Sequence, residues 1–304
     1  MSYDFAALEL GYRPNLSARS VKTQRFDSAM LIQVVEKSHH RLSPGIVDGI
    51  ADGLAAAGRP MLIERLVLAD LATGGSTPRS LRHAMVDGLL VHVDVEPSPQ
   101  VDAMLNASGL PLIWINRQRP WDAVCPDDVD SAALMTRRLI AAGHQHIAWL
   151  DLQVGYRDPV TQHYSRTSRI ASYQTVMQQA GLTAAVLSPP YEPGESGHMA
   201  WLEARLRVER PTALACYGSY EALTVMHVVG RLGWRIPDDL SLITIHFESL
   251  MAGLCIDVAA LPSEAIGRAA AAMLVERIAS HQQQPAKLVP FRLIPGATVA
   301  PPRA

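Results

Sequence analysis

Apolar runs of strand length recur along the chain. They read AMLIQVV at 29–35, PMLIERLVL at 60–68, VDGLLVHV at 86–93, LPLIWIN at 110–116, HIAWLDL at 146–152, AAVLSP at 184–189, TALACYG at 212–218 and LSLITIHF at 240–247. Near-continuous apolarity is what a parallel strand covered on both faces requires. Between the runs lie segments whose apolar residues fall three and four apart: 45–58, 130–143, 168–181, 221–233 and 263–280. That spacing predicts helices. The first two end at glycines suited to a C-cap, Gly58 and Gly143. Asp127, Asp128 and Asp130 are placed to cap the start of the second. Strand and helix alternate throughout, so the predicted fold class is α/β with doubly wound parallel sheets. Eight or more strands are many for one small open sheet, which favours two sheets in two lobes. A (β/α)8 barrel is the rival at this length. The expected exposed linkers are residues 13–28 and the HQQQP stretch at 281–285.

Length supports two compact units, since 304 residues exceed the usual ~150 per domain by a factor of two. With 48% hydrophobic and 18% charged residues, the chain is globular with a sizeable core. A net charge of −2 means that any nucleic-acid contact must come from a local basic patch, and Arg13, Arg19, Lys22 and Arg25 form one. Three widely spaced cysteines suggest reduced thiols in a cytoplasmic protein rather than a disulfide framework or a metal knuckle. Neither a secretory signal nor a membrane-length apolar run is visible.

No nucleophile elbow, phosphate-binding loop or zinc-protease motif occurs, so no enzymatic activity and no cofactor are expected. GESGH at 194–198 and GYRDP at 155–159 read as glycine-containing loops. His39-His40 and His144-Gln-His146 read as structural rather than metal-ligating, and Trp114, Trp149 and Trp234 as core.

LGYRPNLSARSVKT at 10–23 resembles the end of the DNA-binding headpiece and the hinge helix of the lactose-repressor/galactose-repressor (LacI/GalR) family of bacterial transcription regulators. The resemblance continues in order through VDGLL at 86–90, SGLPLIWINR at 108–117, the DD at 127–128 and RRLIAAGHQHIAWL at 137–150. It runs on through RIASYQTVMQQAGL at 169–182, RPTALACYGSYEAL at 210–223, RLGWRIPDDLSLITI at 231–245 and ATVAPP at 297–302. It implies two lobes of the type I periplasmic-binding-protein kind joined by three crossings. The implied division is a headpiece remnant and hinge at 1–28, an N-terminal lobe of 29–142 plus 262–289, and a C-terminal lobe of 143–261 plus 290–304. The reader helices that precede the hinge in the family are not in this chain, so alone it is expected to bind operator poorly.

The implied function is a ligand-responsive repressor, binding a sugar or another polar or anionic metabolite between the lobes to control operator binding by a homodimer. No membrane partner is implied, nor a tetramer, since no heptad tail follows. A stand-alone solute-binding protein is the alternative. By resemblance, Arg13, Arg19 and Lys22 meet phosphates and Asn15 caps the hinge helix. Ala18 allows a partner helix close, and Val21 stands where the family wedges a leucine into the minor groove. The implied cleft residues are His40, Leu42, Asp127, Asp128, Arg169, Gly218, His246 and Leu261. Of these, His40, Leu42, Gly218, His246 and Leu261 depart from the family's usual residues. Lost hydroxyl partners weaken a hexose site, so an anion held by His40, Arg41, Arg169 and His246 is one expectation and a site that has lost its ligand is another.

Overall fold

A computed structural model describes residues 25–35, 42–67, 86–93, 99–152, 163–189, 195–246 and 252–303. The first sheet contains β1 (Ala29–Val35), β2 (Met61–Val67), β3 (Gly88–Val93), β4 (Leu112–Ile115), β5 (Ala123–Pro126) and β11 (Lys287–Val289), in the order β11-β5-β4-β3-β1-β2. Every pairing in it is parallel. The second sheet contains β6 (Ile147–Leu150), β7 (Ala185–Leu187), β8 (Ala213–Cys216), β9 (Ser241–His246), β10 (Asp257–Ala260) and β12 (Arg292–Ile294), in the order β12-β10-β9-β8-β6-β7. It is parallel except for the β10–β12 pair. Two separate open sheets exclude the barrel.

Helices α1 (Pro44–Ala56), α2 (Pro99–Asn106) and α7 (Ser263–Ser280) accompany the first sheet. Helices α3 (Asp128–Ala141), α4 (Tyr164–Gln179), α5 (Glu195–Glu209) and α6 (Ser219–Arg231) accompany the second. All eight apolar runs contain a strand. Strands β5, β10, β11 and β12, of three or four residues each, lie outside those runs. The GESGH stretch is not a loop: Glu195–His198 opens α5, whose weakly amphipathic sequence hides the helical period.

The chain passes between sheets three times, from β5 into α3, from β10 into α7, and from β11 to β12. Helix α3 lies on the second sheet, where Ala132, Met135 and Leu139 join Ile147, Trp149, Tyr173 and Ile243 in one buried cluster. The expected N-terminal lobe of 29–142 therefore carries fourteen residues that pack with the other lobe. Sequence places α3 next to β5 along the chain, but its apolar face matches the second core. That core is sealed by Trp149 and Tyr173, whose rings stand 5.8 Å apart. The Tyr173 hydroxyl donates to Ile147 O at 2.8 Å, and Trp149 is fully buried as the sequence suggests.

Candidate functional site

The carboxyl ends of β4, β5, β6 and β8 converge on the amino-terminal turns of α3, α4 and α6. In open α/β sheets this is where a ligand crevice forms. Asp127 caps α3 by accepting from Asp130 N at 3.0 Å. The next residue, Asp128, is buried, at 3% exposure. Its Oδ1 accepts from Arg169 Nε at 2.7 Å and from Nη2 at 2.6 Å. Its Oδ2 is buried with no hydrogen-bond partner.

Arg169 Nη1 also donates to Tyr217 O at 3.3 Å, and its guanidinium lies 4.7 Å from the Tyr217 ring centre. Arg166, one turn earlier on α4, grips Asp151 through Nε at 2.8 Å and Nη2 at 2.6 Å. Both partners of that pair are buried. The same Tyr217 carries its hydroxyl 2.8 Å from Ser165 Oγ. Spacing of three residues puts Arg166 and Arg169 on one helix face, and each guanidinium reaches a carboxylate from a different strand end.

The lobes meet at the start of α4. His163, its N-cap, accepts from Ser165 N through Nδ1 and lies within hydrogen-bond distance of Asn116 O through Nε2, at 3.1 Å. The Tyr164 hydroxyl donates to Asn116 Oδ1 at 3.3 Å. Asn116, at the end of β4, holds φ of 60°, a left-handed conformation that asparagine tolerates better than most residues. Burial, and secondarily the Asp128 charge, push the Tyr164 hydroxyl well above its ordinary range, so it is a donor at every working pH. Burial pushes the Cys125 thiol up to about 11, which makes it inert.

Glu221, at the start of α6, accepts from Leu152 N at 3.2 Å. Burial, and then repulsion from Asp151, raise its carboxyl to about 7. A carboxyl that holds its proton more tightly when folded contributes stability below its unfolded pKa and loses it as pH rises through about 7. Glu221→Gln keeps an acceptor for Leu152 N and carries no charge. Its urea midpoint should match wild type near pH 4 and exceed it at pH 8 by roughly 1–3 kcal/mol of stability. A constant difference across that range would show that Glu221 does not titrate there.

Among the expected cleft residues, Asp127, Asp128, Arg169 and Gly218 meet in this site, Gly218 as the N-cap of α6. Leu42 does not: it is 7% exposed within the first lobe's core, beside Ile46 and Ile50. An apolar residue just before α1 gains more from burial there than from a wet cleft. Leu261 packs against the cores of both lobes, at the crossing from β10 to α7. His246 ends β9, opposite Ala260. His40, Arg41 and the hinge residues Arg13, Asn15, Ala18, Arg19, Val21 and Lys22 lie outside the described residues. Sequence reading missed Asn116, Asp151, His163, Arg166, Tyr217 and Glu221. The signal for Asp151 was present, since the run HIAWLDL breaks on an acid at its strand end. His144 is structural, with Nδ1 3.0 Å from Thr212 Oγ1 and Nε2 2.9 Å from Ala300 O. No group of metal-ligating side chains occurs among the described residues, and no helix among them is long and apolar enough to cross a membrane.

The profile of the periplasmic binding protein-like domain matches residues 136–299, more than half of the chain. The chain belongs to this family. Within it, the curated relatives are LacI/GalR-type regulators, as the sequence resemblance implied. The HTH-type transcriptional regulator CelR of Thermobifida fusca is 29% identical over 93% of this chain and 84% of its own length. The HTH-type transcriptional repressor PurR of Escherichia coli is 24% identical over 97% of this chain and 86% of its own. A LacI family regulator from Enterococcus faecium, solved with bound ribose, shares the fold with a TM-score of 0.71 at 18% identity, covering 90% of this chain and 99% of its own.

Proposed function

We propose that the chain is the hinge and effector core of a ligand-responsive transcriptional repressor, a cytoplasmic homodimer that grips operator DNA through residues 13–22 and releases or holds it according to a small molecule between its lobes. One observation carries the ligand half of this reading: Asp128, Arg169 and Tyr217 stand at carboxyl strand ends beside Asn116 of the other sheet, the kind of place where open α/β sheets bind ligands. Both guanidiniums at the site are already engaged by carboxylates, so an anion would have to displace Asp128 or Asp151. This supports a neutral, hydroxyl-bearing ligand over the anionic one. The Enterococcus faecium neighbour holds such a molecule, ribose.

The dimer half is supported by β2. It is an edge strand, and Leu62, Ile63 and Val67 on it are 41%, 53% and 37% exposed. An apolar edge with no further strand among the described residues invites a partner strand or face. Relatives named as helix-turn-helix regulators over nearly the whole chain favour this reading over a stand-alone solute-binding protein.

Sedimentation of the chain together with calorimetric titration of a panel of pentoses, hexoses and disaccharides tests both halves. The expected result is a particle of two copies and at least one sugar whose affinity falls tenfold or more in Asp128→Asn. A monomer at every concentration, or a sugar whose binding ignores Asp128→Asn, would overturn the corresponding half.

A further inference from the structure

A second cavity, of about 330 Å³, opens in the first lobe between the end of α2, β4, the connection leading to β5 and the end of α7. Its floor is Trp114 on β4 and its wall is Trp121. Trp114 is buried beneath guanidiniums, with Arg117 4.4 Å and Arg119 5.6 Å from its ring centre. Trp121 is 49% exposed. That is unusual for the largest apolar side chain, and the backbone around it is firmly held. Asp122 N donates to Gln284 O at 2.8 Å, Gln284 N to Asp122 Oδ1 at 2.9 Å, and Ala286 N to Pro120 O at 3.1 Å, with Trp121 bridged to Pro285. Asp122 itself sits at φ of 51°. The indole is thus presented to solvent on rigid backbone rather than left on a free tip.

Charge selects what could lie against it. Arg117 and Arg119 share one carboxylate, Asp102, through bonds of 2.9 Å and 2.6 Å to its Oδ2. Arg277 holds Asp122 at 3.2 Å. Arg119 and Arg277 line the cavity with Asp102 and Asp122, while Arg117, buried behind, claims the same Asp102 and leaves Arg119 less than one carboxylate of its own. Arg119 and Arg277 keep 34% and 20% of their side chains exposed. Arginine forks match carboxylate geometry, and an indole face prefers a flat partner. The volume is at the small end of ligand pockets.

From this geometry we infer that the cavity is a second small-molecule site, separate from the interlobe crevice, which takes a planar aromatic carboxylate with its ring against Trp121 and its anion on Arg119.

Titration of the full chain with trans-cinnamate, followed by tryptophan fluorescence and calorimetry, tests the inference. Cinnamyl alcohol serves as the uncharged counterpart. The expected result is saturable binding of cinnamate, at least tenfold weaker binding of the alcohol, and weakening as salt rises from about 50 to about 500 mM. Arg119→Gln and Trp121→Ala should each lower cinnamate affinity tenfold or more, whereas Arg303→Gln, exposed on the other lobe, should leave it unchanged. All three side chains are exposed in part, so the variants are expected to fold. No saturable signal, equal binding of acid and alcohol, or binding that ignores both Arg119→Gln and Trp121→Ala would overturn it. The last outcome would place the acid elsewhere on the molecule.

Discussion

Arg169→Met is expected to lower the stability of the chain by roughly 3–5 kcal/mol, the usual penalty for stranding one half of a buried ion pair. Arg169 supplies both hydrogen bonds that Asp128 Oδ1 receives, and Oδ2 has none. The substitution therefore leaves a carboxylate that is 3% exposed with its paired cation gone. Methionine fills much of the same volume, so the effect reports charge rather than a cavity. A further variant separates the causes. Asp128→Asn together with Arg169→Met should recover most of the loss, because the stranded charge disappears with its partner. Urea unfolding at pH 7 checks both variants. A loss under about 1 kcal/mol would mean that water reaches Asp128 and that the crevice is wetter than the packing around it indicates.

Gly267→Ala is the other large effect, and it acts on the first lobe rather than on the crevice. Helices α1 and α7 cross with their backbones in contact. A Cβ on Gly267 would lie 2.2 Å from Ile46 O and 2.7 Å from Ile50 N, and one on Gly49 would lie 2.2 Å from Glu264 O. The obstructing atoms are backbone, so no side-chain rotation relieves them, and the helices must separate. Alanine's better helix propensity returns only about 1 kcal/mol, while overpacking against rigid backbone costs about 3 kcal/mol or more. The net expectation is a destabilisation of roughly 2 kcal/mol or more by thermal or urea unfolding. Gly230→Ala on α6 is the internal control, since nothing lies within 4 Å of its added Cβ, and it should be neutral or stabilising. Because α7 begins two residues after Leu261, which touches both cores, displacement of α7 also bears on the second crossing between lobes.

Much of the fold was legible because its signals are local. The interior strands β1, β3 and β9 are buried on both faces, so they read as unbroken apolar runs without any knowledge of their neighbours. Each major helix ends where glycine or an exposed turn stops the period. Composition restricted the chemistry, and the ordered series of motifs specified the family. Asp128 and Arg169 were singled out through the family resemblance, and Asp128 also as an acid placed to cap a helix.

What tertiary structure alone decided concerns partners distant in sequence. Asp128 and Arg169 are 41 positions apart and Leu152 and Glu221 are 69 apart; nothing in periodicity says which carboxylate an arginine will meet. The same holds for Leu42, whose apolar character suits a crevice wall or a core equally until α1 is placed, and for α3, which follows one sheet in sequence and seals the other in space. Sequence carries the pattern of burial, because burial follows from each residue's own solubility. Pairing depends on where two backbones arrive together, and that is settled only when both sheets and their crossings are in place.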